Sequence, residues 1–104
     1  MRKGYRAEYL AKKELIEKYG KDNVIKVAIG QFGADFLVFN NGNLTKIVEV
    51  KQTHKNKFYP SKRERDQLRR IKEFAKKQGC EFEVWVYKFK TRGKKHEKEV
   101  IKCY

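Results

Sequence analysis

Two apolar runs on either side of an asparagine-glycine turn restrict the fold of this chain more than any other feature. The runs cover residues 36–39 and 46–52, and the residues that follow the first run read Asn-Asn-Gly-Asn. An Asn-Gly pair suits a tight β-turn because both residues tolerate the positive φ angles that the turn requires. The sequence therefore predicts an antiparallel β-hairpin, which needs further strands or helices to cover its apolar face.

Helix and strand signals on both sides of the hairpin supply these further elements. Apolar residues at helical spacing predict a first helix over residues 4–19, which ends at Gly20. Ser61 and Glu64 have the spacing of a capping box and predict a second helix, which ends at Gly79. Its expected buried residues are Leu68, Ile71, Phe74 and Ala75. Further strands are expected over residues 23–29, 82–89 and 99–104. The order of elements predicts one α/β domain, residues 1–104.

The charge of the chain is strongly positive. There are 27 Lys and Arg residues against 13 Asp and Glu, which gives a net charge of +14. Such a surplus predicts a polyanionic partner such as DNA. The sequence lacks an apolar run of the roughly 20 residues that span a bilayer, and its first 20 residues carry charges throughout, unlike a signal peptide. We therefore expect no membrane association and a cytoplasmic setting.

The cysteines and histidines do not form a recognisable metal site. Cys80 and Cys103 lack metal-ligand spacing, and whether they form a disulfide stays open. His54 and His96 stand alone in lysine-rich stretches, where we expect them to be exposed or close to phosphate. The chemistry must come from other side chains.

Acidic residues stand at the far end of the predicted hairpin. If the turn centres on Gly42, Asp35 lies opposite Glu49 and shares a face with Glu49 and Lys51. Two facing carboxylates repel each other, and burial increases the repulsion. The arrangement is stable when a proton or a divalent cation lies between them.

A hard cation such as Mg²⁺ fits these groups, because it takes oxygen ligands and keeps several waters. Asp35, Glu49 and the backbone carbonyl of Val50 are the candidate ligands. Lys51 would then lie where it can orient or deprotonate a metal-bound water. The chain therefore has the residues for metal-dependent hydrolysis.

Glu8 is a third candidate acid, on the first helix. Counted at 100° per residue, it lies at the centre of the arc that carries Ala11 and Leu15, so we expect it to face the core. A buried glutamate needs an ion or a basic partner. It either joins the metal site or forms a salt bridge with Lys26 or Lys51.

The order of these residues resembles a known nuclease pattern. Glu8, the segment GADFLVF with Asp35, and VEVK with Glu49 and Lys51 resemble the E…D…ExK pattern of the PD-(D/E)xK nuclease superfamily. The opening RKGYRAE, the hairpin, the basic loop and the helix that ends in EFAKKQG resemble archaeal-type Holliday junction resolvases. The resemblance covers residues 2–89.

The resemblance implies a central mixed five-stranded sheet flanked by two main helices, the restriction-endonuclease-like nuclease core. It also implies a homodimer whose two sites cut four-way DNA junctions with Mg²⁺ or Mn²⁺, without a small-molecule cofactor, in a prokaryotic or viral cytoplasm. The metal ligands fall on Glu8, Asp35 and Glu49, and the catalytic lysine falls on Lys51. Phe74 matches an aromatic position of the family's dimer interface, and the strand with Trp85 is a second candidate contact.

Basic residues flank the predicted site, and we expect them to bind phosphates. The alternative is a solvated lysine surface. The candidate DNA-binding residues are Arg2, Lys3, Arg6, Lys26, Lys55, Lys57, Lys62 and Arg63.

Two other functions remain open at this point. A nuclease of the same superfamily could act on nicked, single-stranded or site-specific DNA. A non-catalytic nucleic-acid-binding module could keep the fold without the activity. The acids Glu8, Asp35 and Glu49 favour an enzyme, because a module that only binds a polyanion has no use for buried acids.

Overall fold

A mixed five-stranded sheet with one helix on each face forms the framework of the protein. A computed structural model of the chain describes residues 5–27, 35–55, 57–89 and 96–102, except for the side chains of Tyr5 and His96. The elements are α1 (Tyr5–Tyr19), a short 3₁₀ turn (Lys21–Asn23), β1 (Val24–Lys26), β2 (Phe36–Asn40), β3 (Asn43–Thr53), α2 (Lys62–Gln78), β4 (Glu81–Phe89) and β5 (His96–Lys102). This architecture confirms the predicted α/β fold class.

The strands lie in the sheet in chain order, β1-β2-β3-β4-β5. Neighbouring strands are antiparallel except β3 and β4, which are parallel. A parallel pair needs a crossover connection, and α2 supplies it. β3 is the middle strand of the five, with β2 and β4 as its neighbours.

The β2–β3 hairpin has the predicted turn but a different register near it. Asn41 and Gly42 have φ angles of 53° and 80°, as a type I′ turn requires. The turn therefore lies between these two residues rather than on Gly42. A register shift adjacent to Val38 leaves Thr45 as an extra residue in β3. The irregularity restores the predicted pairing further along, where Leu37 faces Ile47.

Both helices end at glycines with positive φ, as predicted. Gly20 has a φ angle of 93° and donates its N–H to the carbonyl of Ile16. Gly79 has a φ angle of 69° and closes α2 in the same way. Both hydrogen bonds of the capping box are present at Ser61. Within the described residues, no helix is long and apolar enough to cross a membrane.

The apolar residues form one cluster on each face of the sheet. On the first face, Ala7, Ala11 and Leu15 of α1 pack with residues of β2, β3 and β4. On the second face, Ile71 and Ala75 of α2 pack with residues of β3 and β4. β4 is buried on both faces. The alternating pattern that predicted this strand therefore does not distinguish a solvent-exposed face from a buried one.

Three expectations about these elements need correction. Phe74 was predicted to be buried, but it lies at the edge of the buried stripe of α2 and is 36% exposed. β1 is shorter than predicted and ends at Lys26, while Ala28 and Ile29 lie outside the described residues. β5 begins at His96, three residues earlier than predicted. Cys80 is a buried free thiol, and Cys103 lies outside the described residues.

Candidate active site

Asp35 is fixed immediately before β2 by hydrogen bonds at three of its atoms. Its backbone N–H donates to the carbonyl of Val48 at 3.1 Å, and its carbonyl accepts from the N–H of Val27 at 2.9 Å. Its side-chain Oδ2 accepts the N–H of Val50 at 2.6 Å. The sheet thus holds this carboxylate against the middle of β3.

Glu49 lies beside Asp35, as the hairpin register predicted. Its side chain points to the α2 face, because Ile47 belongs to the cluster under α2 and Val48 to the cluster under α1. The residue is only 3% exposed. Its Oε2 is buried and finds no hydrogen-bond partner among the described residues. Such an atom is costly to bury unless something else binds it.

The surroundings of Glu49 change its acidity strongly. Burial raises the pKa of Glu49 far above its usual value, and the hydrogen bond to Asp35 and the negative charge of Asp35 raise it further. The positive charge of Lys51 and the hydrogen bond from the backbone of Val50 act against this rise in the pKa of Glu49. In the absence of a cation, these surroundings favour the protonated, uncharged form of Glu49.

Lys51 follows on the same strand and the same face, two residues after Glu49. Its Nζ lies 3.3 Å from Oε2 of Glu64, at the start of α2. The lysine is mostly buried, and its charge also acts on Glu49. The ExK segment therefore holds an acid and a cation side by side, as the sequence predicted.

Glu8 is not at the centre of the buried face of α1. That face is formed by Ala7, Ala11 and Leu15, which are almost fully buried. The two alanines let the helix approach the sheet closely, so the contact centres on Ala11, roughly 60° round the helix from Glu8. The Glu8 side chain is 34% exposed and binds Nζ of Lys26 at 3.0 Å.

This position corrects the expectation that Glu8 faces the core, and it is the salt-bridge alternative that the structure adopts. α1 covers the sheet face opposite to the one that carries Glu49. Among the described residues, no group of three His, Cys, Asp or Glu side chains is arranged to hold a metal ion. The structure thus brings Asp35, Glu49 and Lys51 together and leaves Glu8 with Lys26.

The acid pair by itself fits a divalent cation. It offers two carboxylates, and one buried oxygen of Glu49 has no partner in the described part of the chain. Mg²⁺ is commonly bound by one or two carboxylates together with waters and substrate phosphates. Val50 contributes its N–H to Asp35, while a role for its carbonyl as a ligand stays a prediction, as does the participation of Glu8.

The predicted DNA-binding residues lie in different surroundings. Cζ of Arg6 lies 4.4 Å from the centre of the Phe89 ring, and Nζ of Lys55 lies 5.8 Å from the centre of the Tyr59 ring. Lys26 is engaged by Glu8. Lys57, Lys62 and Arg63 are exposed, whereas Arg2 and Lys3 lie outside the described residues. Their contacts with DNA remain predictions.

The two predicted dimer-contact residues differ in exposure. Phe74 presents part of its ring on α2. Trp85 is only 3% exposed, as expected of a core or sheet-face residue, and its Nε1 donates to Oε1 of Glu83. Lys98 covers its ring at 3.7 Å. Because β4 is buried on both faces, its side chains present little surface to a second chain, and a dimer contact at this strand stays a prediction.

Sequence reasoning missed two features near the site. Glu64 was recognised only as a capping residue, although it also binds Lys51. Nδ1 of His54 lies 2.7 Å from the carbonyl oxygen of Phe89, which ties the loop after β3 to the end of β4. Both contacts join elements whose relative placement depends on the fold. The capping-box spacing was the one available signal, and it does not identify a partner.

Comparison with known proteins supports the predicted relationship. The structure is similar to that of Hjc from Archaeoglobus fulgidus, described as a Holliday junction resolvase from an archaeal hyperthermophile. The sequences are 25% identical and the TM-score is 0.59, over 97% of this chain and 73% of that chain. No protein-family model and no curated protein sequence matches the chain. The chain therefore resembles the archaeal Holliday junction resolvases over nearly its whole length and has their nuclease fold.

Proposed function

We propose that this protein is a metal-dependent, structure-selective endonuclease that cuts four-way DNA junctions. The observation that carries the proposal is the pair of half-buried Asp35 and buried Glu49, with Lys51 beside it and one Glu49 oxygen that has no partner among the described residues. A fold similar to that of a Holliday junction resolvase supports the same activity. A protein that only binds DNA would gain nothing from two acids forced together at the central strands of the sheet.

Each residue of the site has a distinct task in this proposal. A bound divalent cation would supply a water of lowered pKa and stabilise the leaving oxygen. Asp35 and Glu49 would hold that cation. Lys51 would orient the scissile phosphate and the attacking water through its Nζ. The sheet excludes bulk water from Glu49, which strengthens these electrostatic interactions.

The exposed side of α2 is the proposed surface for the DNA backbone. α2 follows directly after the loop that leaves the site, and eight of its basic residues are exposed. Phosphate contacts depend on charge and spacing rather than base sequence, which suits recognition of junction shape. The exposed basic residues are Lys62, Arg63, Arg65, Arg69, Arg70, Lys72, Lys76 and Lys77.

We also propose that the active form is a homodimer, since two symmetric cuts need two sites related by a two-fold axis. Phe74 on α2 is the first candidate contact. Light scattering at micromolar concentration, with and without junction DNA, tests this assembly. A monomer under both conditions would contradict it.

The central experiment compares four-way, nicked, single-stranded and linear DNA, each incubated with the protein in Mg²⁺ or EDTA. Selective cutting of the four-way junction in Mg²⁺ is the expected result. Cutting of another DNA would point to a nuclease of the same superfamily with a different substrate. Binding without cutting of any DNA would reject the enzymatic function.

A further inference from the structure

Glu64 takes part in two structural units at once. Its backbone N–H donates to Oγ of Ser61 at 3.2 Å, and its Oε1 accepts the backbone N–H of Ser61 at 3.1 Å. These two bonds are the capping box at the start of α2. Its other carboxylate oxygen, Oε2, lies 3.3 Å from Nζ of Lys51 on β3.

The second contact is more than the helix cap requires. A capping box uses one side-chain oxygen at this position, and a glutamine provides that oxygen as well as a glutamate does. The Ser61 backbone N–H lowers the pKa of Glu64, and the Lys51 ammonium lowers it further, while burial acts in the opposite direction. The negative charge of Glu64 is therefore directed at Lys51.

Lys51 needs such a contact to keep one position. A lysine side chain is a flexible four-carbon chain that ends in an ammonium group, so it adopts many conformations unless a partner binds the ammonium. In the part of the chain that the structure describes, the ion-pair partner of Lys51 is Glu64. The carboxylate of Glu64 is itself immobilised, because Ser61 holds its other oxygen. A rigid acceptor thus sets where the ammonium lies relative to Glu49.

We propose that Glu64 is a positioning residue that fixes the ammonium of Lys51 beside the Asp35–Glu49 pair and so ties the start of α2 to the active site. The inference rests on the proposed nuclease function. Glu64 touches neither substrate nor metal in this proposal and acts through Lys51.

The test uses a substitution that separates the charge from the cap. Glu64→Gln keeps the oxygen that accepts from Ser61 but removes the charge that holds Lys51. We expect kcat on junction DNA to fall about 10²-fold, the cost of a misplaced catalytic group. The KM for DNA should stay close to that of the wild type, and the melting temperature should fall only slightly, since the cap is kept and the lost ion pair is partly exposed.

Two further variants serve as controls. Glu14→Gln makes the same chemical change in an ion pair with Lys98 on the other face of the sheet, and it should leave kcat unchanged. Ser61→Ala weakens the cap alone and should lower stability by about 1 kcal/mol. If Glu64→Gln loses kcat only in proportion to lost stability, as Ser61→Ala would, Glu64 is a capping residue and the inference fails.

A measurement on Lys51 itself separates this inference from the proposed function. The ¹³C relaxation order parameter of the Lys51 ε-carbon should be high in the wild type and drop in Glu64→Gln, while Glu14→Gln leaves it high. An unchanged order parameter in Glu64→Gln overturns the positioning role even if the protein cuts DNA. If the order parameter drops in Glu64→Gln but the wild type cuts no DNA, the nuclease function is rejected and the positioning contact between Glu64 and Lys51 stands.

Discussion

Two glutamates on neighbouring central strands are buried to almost the same extent, but their surroundings are opposite. Glu49 on β3 is 3% exposed, and Glu83 on β4 is 4% exposed. Both carboxylate oxygens of Glu83 have partners. Oε1 accepts a hydrogen bond from Trp85 Nε1 at 2.9 Å, and Oε2 forms an ion pair with Lys46 Nζ at 3.1 Å. Glu49 faces another acid, and its Oε2 has no partner in the described structure.

The difference separates a group that stabilises the fold from a group that the proposed nuclease activity would use. Burial raises the pKa of Glu83, but the Trp85 N–H and the Lys46 ammonium outweigh burial and lower it overall. At Glu49, burial and Asp35 act in the same direction and raise the pKa. The burial of an acid therefore does not indicate its role until its contacts are known. A buried acid whose surroundings raise its pKa is a candidate site for a ligand.

The largest expected effect is on cleavage. Glu49→Gln keeps the shape of the side chain and removes a ligand charge, so cleavage of junction DNA in Mg²⁺ should fall by about 10³-fold or more. Glu83→Gln should keep the activity of its folded fraction, because Glu83 lies on the opposite face of the sheet. Single-turnover cleavage, corrected for the folded fraction, measures both. Equal losses in the two variants would remove the distinction between the glutamates.

For folding stability we expect the opposite order, with the larger loss in Glu83→Gln and not in Glu49→Gln. Glu83→Gln leaves the largely buried Lys46 without its main counter-charge, although Tyr19 and Glu81 still contact it. We expect a loss of about 2 kcal/mol in the free energy of unfolding. Glu49→Gln should be neutral or stabilising in EDTA, since glutamine lies uncharged beside Asp35 without having to bind a proton. Urea unfolding of both variants checks the signs, and a strongly destabilised Glu49→Gln would indicate that Glu49 is a structural residue.

The sequence predicted the acid pair because its position depends on short-range rules. Asn41 and Gly42 specify the turn, and alternation along the strands places Glu49 and Lys51 on one face. The predicted register of Leu37 with Ile47 was right, although the assumed turn centre was wrong, because the extra residue in β3 compensated. Irregularities of this kind carry no clear signature in a single sequence.

The rest of the site depends on how whole elements pack, which periodicity does not resolve. Glu8 was assigned to the core face because the helical arc was centred without Ala7, whose small size sets the approach of α1 to the sheet. Glu64 and Lys51 belong to different elements, and their contact follows from the crossover of α2. The pairing of Glu83 with Lys46 was missed for the same reason, since it joins β4 to β3.

The pH dependence of stability should have opposite signs at the two glutamates in EDTA. The raised pKa of Glu49 means that its contribution is full below 4.5 and is lost as pH rises towards the folded value. The lowered pKa of Glu83 means that its contribution is present above 4.5 and is lost as pH falls through the folded value. Each group changes stability by at most about 1.4 kcal/mol per pH unit.

Unfolding of the variants relative to the wild type isolates each contribution. Between about pH 5 and pH 8, Glu49→Gln should become more stable relative to the wild type as pH rises. The penalty of Glu83→Gln should be constant over that range and shrink below 4.5. Parallel profiles for the two variants would mean that the environments of the two acids are alike.

The smallest expected effect is the stabilisation by Mg²⁺ in the absence of DNA. A ligand that binds only the folded state at ten times its Kd adds about 1.4 kcal/mol. The wild type and Glu83→Gln should both gain this amount, and Glu49→Gln should gain none, because the oxygen that lacks a partner in the described structure is replaced by an amide.

Salt alone also stabilises a chain with a net charge of +14 by screening its repulsion. The comparison therefore needs KCl at matched ionic strength, and only the gain above that control counts. An equal gain in all three proteins would show that Mg²⁺ acts on the general charge, and the buried oxygen of Glu49 would then have no role in binding a cation.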